Sequence, residues 1–154
     1  MSIRRSGTFV GFLLLAFMAG FIGSRFAPGL WYAQLAKPPF NPPDWVFAPV
    51  WSMLFAMMGV AAGRAWLRGG RNRPIGLWLV QLVFNAGWSW LFFGLRRPDL
   101  ALLEIVVLLS LIVATAVSFW RIDRLAGVLM VPYAAWVAFA GVLNAALWML
   151  NRTI

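Results

Sequence analysis

The chain has no cysteine and no histidine, and only four of its 154 residues are acidic. The first two absences remove disulfides, thiolate nucleophiles, Ser-His and Cys-His catalytic pairs, and the usual zinc and haem-iron ligand sets. Tyr32 and Tyr133 are left as the protein's phenolic groups for iron, and no metal site is expected from them. Charged residues of both signs make up 11% of the chain against 63% hydrophobic ones, too little polarity to cover a soluble globule. A membrane protein is therefore expected. The 13 basic residues give a net charge of +9, but they fall between apolar runs rather than along one stripe. They mark topology rather than a nucleic-acid footprint.

Proline is concentrated where the apolar runs first give way. Residues 31–51 contain Pro38, Pro39, Pro42, Pro43 and Pro49, together with Trp31, Tyr32, Phe40, Trp45, Phe47 and Trp51. Prolines fix φ and push their predecessors towards extended geometry, so an ordered loop with low folding entropy is expected over about 27–44. Its aromatic rings fit either a membrane-interface belt or a lid over a binding site.

Five hydrophobic runs predict an all-α, five-helix membrane bundle in a single domain, with spans near 7–26, 45–67, 75–95, 100–120 and 125–150. Arg4 and Arg5 before the first run resemble the start of a signal peptide, but that run lacks a clear cleavage site and reads as a retained span. Gly7, Gly11, Ala16, Gly20 and Ser24 lie on it as a stripe of small residues for close helix packing. Asp44 and Asp99 stand where helix N-caps are expected, and Pro132 predicts a kink in the fifth span. Glu104 in the fourth span either reaches the interface near Arg96 and Arg97 or acts as an intramembrane acid. Leu108 reads as lipid-facing. With alternating helices, Arg4, Arg5, Arg64, Arg68, Arg71, Arg73, Arg121 and Arg124 share one side, and Arg25, Lys37, Arg96, Arg97 and Arg152 the other. That bias favours a cytoplasmic amino terminus and an external proline-rich loop.

Polar and aromatic residues recur at one-face helical spacing on three spans. They are Trp51, Phe55 and Met58; Gln81, Asn85, Trp88 and Phe92; and Trp136, Ala140 and Asn144 with Tyr133 beside them. Turned inwards, they would form a cavity with flat walls and a few amides, suited to a large planar, mostly apolar ligand. The alternative is ordinary helix packing with amide hydrogen bonds between spans. A metal-free tetrapyrrole or a sterol-like molecule, held by stacking and shape, fits such a cavity better than haem, and no obligatory cofactor is expected. Any ligand carboxylates would need a cation at the mouth, with Lys37 and Arg25 nearest in sequence.

The stretch Trp31-Tyr32-x-x-Leu35-x-Lys37-Pro38-Pro39-Phe40-Asn41-Pro42-Pro43-x-Trp45-x-Phe47-x-Pro49-x-Trp51 resembles the first-loop signature of the tryptophan-rich sensory protein family, also called TspO/MBR or translocator proteins. The similarity continues through Gln81-Leu82-x-x-Asn85-x-x-Trp88, Phe92-Phe93-Gly94, Pro132-Tyr133-x-x-Trp136 and Leu143-Asn144. It implies a five-helix bundle, often a homodimer, whose first loop closes as a lid over a porphyrin pocket. The lid residues would include Trp31, Lys37, Pro38, Asn41, Pro42 and Pro43, and the ligand contacts Tyr32, Trp51, Phe55, Asn85, Trp88, Trp136 and Ala140. Porphyrin sensing, sequestration or transport is implied, in a bacterial cell membrane. Some bacterial relatives also degrade protoporphyrin in light, for which Trp51 and Trp136 are the matching photochemical candidates; no conventional catalytic group is present, and a structural membrane bundle with a vestigial pocket is the third reading. Cholesterol recognition in animal members is attributed to a Tyr-containing pattern late in the fifth helix. No Tyr stands between Val142 and Arg152, which counts against cholesterol.

Overall fold

A computed structural model describes residues 3–152. Met1 and Ser2, the outermost part of the basic start, lie outside the described residues. The elements are α1 (Ile3–Ser24), α2 (Leu30–Gln34), α3 (Asp44–Leu67), α4 (Asn72–Ser89), a π-helical turn (Trp90–Gly94), α5 (Pro98–Ile122), α6 (Arg124–Leu129) and α7 (Val131–Leu150). Among the described residues there is no β-strand. Five stretches are long and apolar enough to cross a membrane: Ile3–Ser24, Asp44–Leu67, Asn72–Gly94, Pro98–Ile122 and Arg124–Leu150. Lipid offers the backbone no hydrogen bonds, so spans of this composition satisfy their own as helices. The 22 residues of α1 rise about 33 Å, enough for a ~30 Å hydrocarbon core.

The proline-rich stretch is not loop throughout, because residues before its first proline close the short helix α2. Several helix ends also differ from the expected ones. The third span begins at Asn72 rather than near 75, because Pro74 sits in the first turn, where a missing N–H costs no helical bond. Pro98 likewise opens α5. Asp44 and Asp99 are not the caps: Pro43 and Arg97 hold those positions, and the two acids lie in the first turns, where their charge complements the helix dipole. The fifth span is interrupted by one turn residue, Met130, between α6 and α7, two residues before Pro132. Pro132 explains the interruption, since it lacks the N–H that would continue the α6 ladder and its ring crowds the preceding turn.

Small residues let α1 lie against α3. A Cβ at Gly59 would sit 2.8 Å from Leu13 Cα, and one at Gly63 would sit 2.6 Å from the Phe9 ring. Ala16 and Ala19 of α1 are buried there, and Gly20 faces Phe55. Gly7 and Gly11, at the start of the small-residue stripe, have no neighbour and face outwards. The stripe therefore packs within the fold only from Ala16 onwards.

At the end of the bundle away from the proline-rich loop, Asp123 joins three elements. Its carboxylate accepts two bonds from Arg64 Nη2, at 2.9 and 3.2 Å, and caps α6 by accepting from the Ala126 N–H at 3.1 Å. Arg68 lies 3.6 Å away. Burial opposes ionisation of Asp123, but the Ala126 amide and the two guanidinium groups outweigh it and hold the carboxyl below its ordinary range. Glu104 is placed differently from either interface contact expected of it. Both its oxygens are buried and have no hydrogen-bond partner among the described residues, and no ion pair forms with Arg96 or Arg97. It lies on the α5 face turned to α4, where Gly87 leaves room: a Cβ there would be 3.8 Å from Glu104 Oε1.

Gly59→Val is expected to lower the melting temperature in detergent, by the equivalent of about 1–3 kcal/mol for overpacking; Gly7→Val, with nothing nearby, should leave it unchanged. Equal melting temperatures would contradict the close α1–α3 contact. Asp123→Asn should cost roughly 1.5–3 kcal/mol at pH 7, the range for hydrogen bonds to charged groups. A carboxyl held below its unfolded value of ~3.9 stabilises fully above that value and loses the contribution as the pH falls through the lowered folded one. The gap between parent and Asp123→Asn melting temperatures should therefore be full at neutral pH and close below about pH 4.

Candidate functional site

A cavity of about 580 Å³ lies between the ends of α1, α3, α4, α5 and α7 nearest the loop. Trp51 and Phe55 of α3 form one wall as a stacked pair, with ring centroids 5.5 Å apart. Trp88 and Phe92 form a second stacked pair at 5.0 Å on the third span. Trp136 and Ala140 of α7 face them, and Phe47 meets the Trp136 ring edge-on at 5.9 Å. Bulky rings keep these three spans apart where small residues draw α1 and α3 together. The π-helical turn adds to the wall: Leu95 N–H reaches the Trp90 carbonyl, five residues back, at 2.8 Å, and both Phe92 and Phe93 line the cavity. Such turns recur at functional sites in helices.

The inward polar residues divide between packing and lining. Asn85 Nδ2 donates to the Tyr133 hydroxyl at 2.9 Å, which donates to Gln81 Oε1 at 2.7 Å, and Gln81 Nε2 reaches Met58 Sδ at 3.7 Å. Gln81, Tyr133 and Met58 are fully buried and stand behind the wall, acting as the interhelical glue that was the alternative reading. Asn85 is part of that chain and also lines the cavity. Asn144 does both as well, accepting from Trp88 Nε1 at 3.0 Å and donating to the Pro98 carbonyl at 2.8 Å. These bonds fix the Trp88 ring and hold Asn85 at the wall.

All seven expected contact residues, Tyr32, Trp51, Phe55, Asn85, Trp88, Trp136 and Ala140, border this one cavity. The loop residues Trp31, Lys37, Pro38, Asn41, Pro42 and Pro43 do not. Trp31 instead rests edge-on against Phe92, and Tyr32, while bordering the cavity, meets Phe92 and Phe93 edge-on, so α2 is seated on the end of the third span. Lys37 is engaged within the loop rather than free at a mouth. Its ammonium donates to the Tyr32 carbonyl at 2.9 Å and the Leu35 carbonyl at 3.3 Å, and lies 4.7 Å from the Tyr32 ring centre. Arg25 does not border the cavity either. Burial, with the Asp44 charge, pushes the Tyr32 phenol above its ordinary value against a smaller opposing effect of Asn41, so it stays a neutral hydroxyl.

Four features have little sequence signal. Leu108, read as lipid-facing, is buried and lines the cavity with Ile105, because α5 turns this face inwards. Gly20, Gly23 and Ser24 bring α1 to the site; their small size was visible, their destination was not. Asp44 also borders the cavity. Asn151 pins the loop: its Oδ1 accepts from the Ala36 N–H at 2.9 Å, and its Nδ2 donates to the Ala36 carbonyl at 2.9 Å and to the Leu147 carbonyl at 2.8 Å. One amide side chain thus satisfies both backbone groups of a loop residue 115 positions away.

The TspO/MBR family model matches residues 12–149. The chain belongs to the TspO/MBR family. It is 43% identical over 144 residues to the tryptophan-rich protein TspO of Chlorobaculum tepidum, covering 89% of this chain and 91% of that one. It is 39% identical over 151 residues to the translocator protein of Bos taurus, covering 93% and 89%. Protein CrtK of Rhodobacter capsulatus matches at 40% over 137 residues, 86% of each chain. With five membrane-capable helices, this TspO/MBR chain is an integral membrane protein.

Asn151→Ala is expected to free the TspO/MBR loop without unfolding the bundle. Hydrogen exchange at Ala36 and its neighbours should speed by about tenfold, while α5 amides keep their protection. Unchanged exchange at Ala36 would show that the aromatic contacts hold the loop alone.

Proposed function

We propose that this TspO/MBR protein binds porphyrin-type tetrapyrroles in the tryptophan-walled cavity, with the proline-rich loop as its cover, to sense, sequester or move them. The observation that carries the reading is the convergence of Trp51, Trp88 and Trp136 from three spans onto one cavity of about 580 Å³. That volume lies within the ~300–1,000 Å³ of small-molecule sites. A flat conjugated ring gains from rigid aromatic walls, through burial and through offset or edge-on contact. Asn85 supplies polar capacity at the wall, and the stacked pairs hold the walls before any ligand arrives. Preformed walls lower the ordering cost of binding. The Asn151 bonds to Ala36 and the contacts of Tyr32 with Phe92 and Phe93 hold the loop beside the cavity, which supports its reading as a cover. We further propose that the loop lies on the external side, following the excess of basic residues on the opposite side.

Tryptophan-fluorescence quenching by protoporphyrin in detergent tests this reading. Saturable quenching is expected, and Trp51→Ala and Trp136→Ala should each weaken it by about 0.5–1.5 kcal/mol, the worth of an aromatic pair beyond its area, or roughly two- to tenfold in Kd. Leu103→Ala, on an exposed face of α5, should leave Kd unchanged. Equal affinities in all three variants would contradict the assignment of this cavity.

A further inference from the structure

The cavity's electrostatics narrow the ligand class. Asp44 is the only formally charged side chain among the described residues that line it, and no Lys or Arg does. The cations on this side of the bundle are mostly engaged elsewhere. Lys37 is bound to loop carbonyls, Arg97 pairs with Asp99 at 2.6 Å, Arg152 lies 4.7 Å over the Trp148 ring, and Arg96 borders a separate small cleft beside Trp31. Arg25 is exposed and outside the lining.

Asp44 also marks where the cavity opens. Ser24, Ala27, Pro28, Asp44 and Ala48 border it and are exposed, whereas Phe55, Ile105, Leu108 and Leu143 border it and are buried. The enclosed part carries no charged group, and its amides, Asn85 and Asn144, are already hydrogen-bonded to other side chains, so an amphiphilic planar ligand keeps a charged edge at the opening, where water still reaches it. That edge meets the Asp44 carboxylate, which forms no ion pair among the described residues.

We infer that Asp44 is the charge-selecting residue of this site, favouring a planar ring ligand whose outer edge is uncharged or cationic over one that presents free carboxylates there. The inference rests on the tetrapyrrole reading above and adds the class of ring substituent. Esterified tetrapyrroles and planar amines fit; ionised dicarboxylates bind against the charge. Coulomb repulsion near a protein surface is worth enough to move Kd by roughly fivefold, and no ion pair ties up the Asp44 carboxylate.

The experiment uses the full chain in an uncharged detergent at neutral pH. Protoporphyrin IX, with both propionates ionised, and its dimethyl ester are titrated into the parent and Asp44→Asn. The ester should bind the parent roughly fivefold more tightly than the free acid. Asp44→Asn should close most of that gap, the acid gaining more than the ester, while saturable quenching by both compounds shows that the cavity is intact. A gap of the same size in both proteins would overturn the inference and leave the tetrapyrrole reading standing, because it would then reflect only the ester's greater apolarity. No gap in the parent would overturn it equally. Failure of both compounds to quench saturably would overturn the tetrapyrrole reading itself, and this inference with it.

Discussion

Close contact between α1 and α3 at Gly59 and Gly63 sets the shape of the bundle. Lipid gives helices no hydrophobic reason to associate, so packing distance is decided by side-chain size and by polar bonds. Where α3 carries glycine and alanine it lies against α1; about one to two turns nearer the loop it carries Phe55 and Trp51 instead. There the neighbouring spans answer with Trp88, Phe92 and Trp136, and the helices stand apart. The cavity is what remains between rings too large to interdigitate fully. Replacing those rings with small residues would favour collapse of the space as well as loss of its walls.

Polar groups secure the two ends of this arrangement. At one end Asp123 ties the end of α3 to the start of α6 through Arg64 and the Ala126 amide. At the other Asn151 ties the end of α7 to Ala36 of the loop. Between them the Gln81–Tyr133–Asn85 chain and the Trp88–Asn144 pair give buried amides the partners that lipid cannot. The same bonds that satisfy those groups fix the orientation of the cavity wall. Stability and cavity shape therefore draw on the same residues.

Much of this was legible in the sequence because hydropathy and helical spacing are local. Five spans and the inward faces carrying Trp51, Asn85 and Trp136 follow from runs and periods alone. What could not be read depends on contacts between distant segments. Asn151 meets Ala36 across 115 positions, and nothing adjacent to it signals that partnership. Leu108 looks like any lipid-facing leucine until the rotation of α5 about its axis is known, and Glu104 acquires its buried place only opposite Gly87 of α4. The expected caps failed for a simpler reason. Pro43 and the Arg97–Pro98 step already fix the chain entering each helix, so the acids fall inside the first turn. Lys37 illustrates the limit of proximity in sequence: it lies near the site, yet its ammonium is spent on loop carbonyls.

The most direct test of the central claim is a structure of the protein bound to protoporphyrin dimethyl ester. The account predicts the ring plane inside the cavity, bounded by Trp51, Trp88 and Trp136, beneath a loop still pinned by Asn151. A ring bound on a lipid-facing surface, with the cavity free of it, would contradict the account.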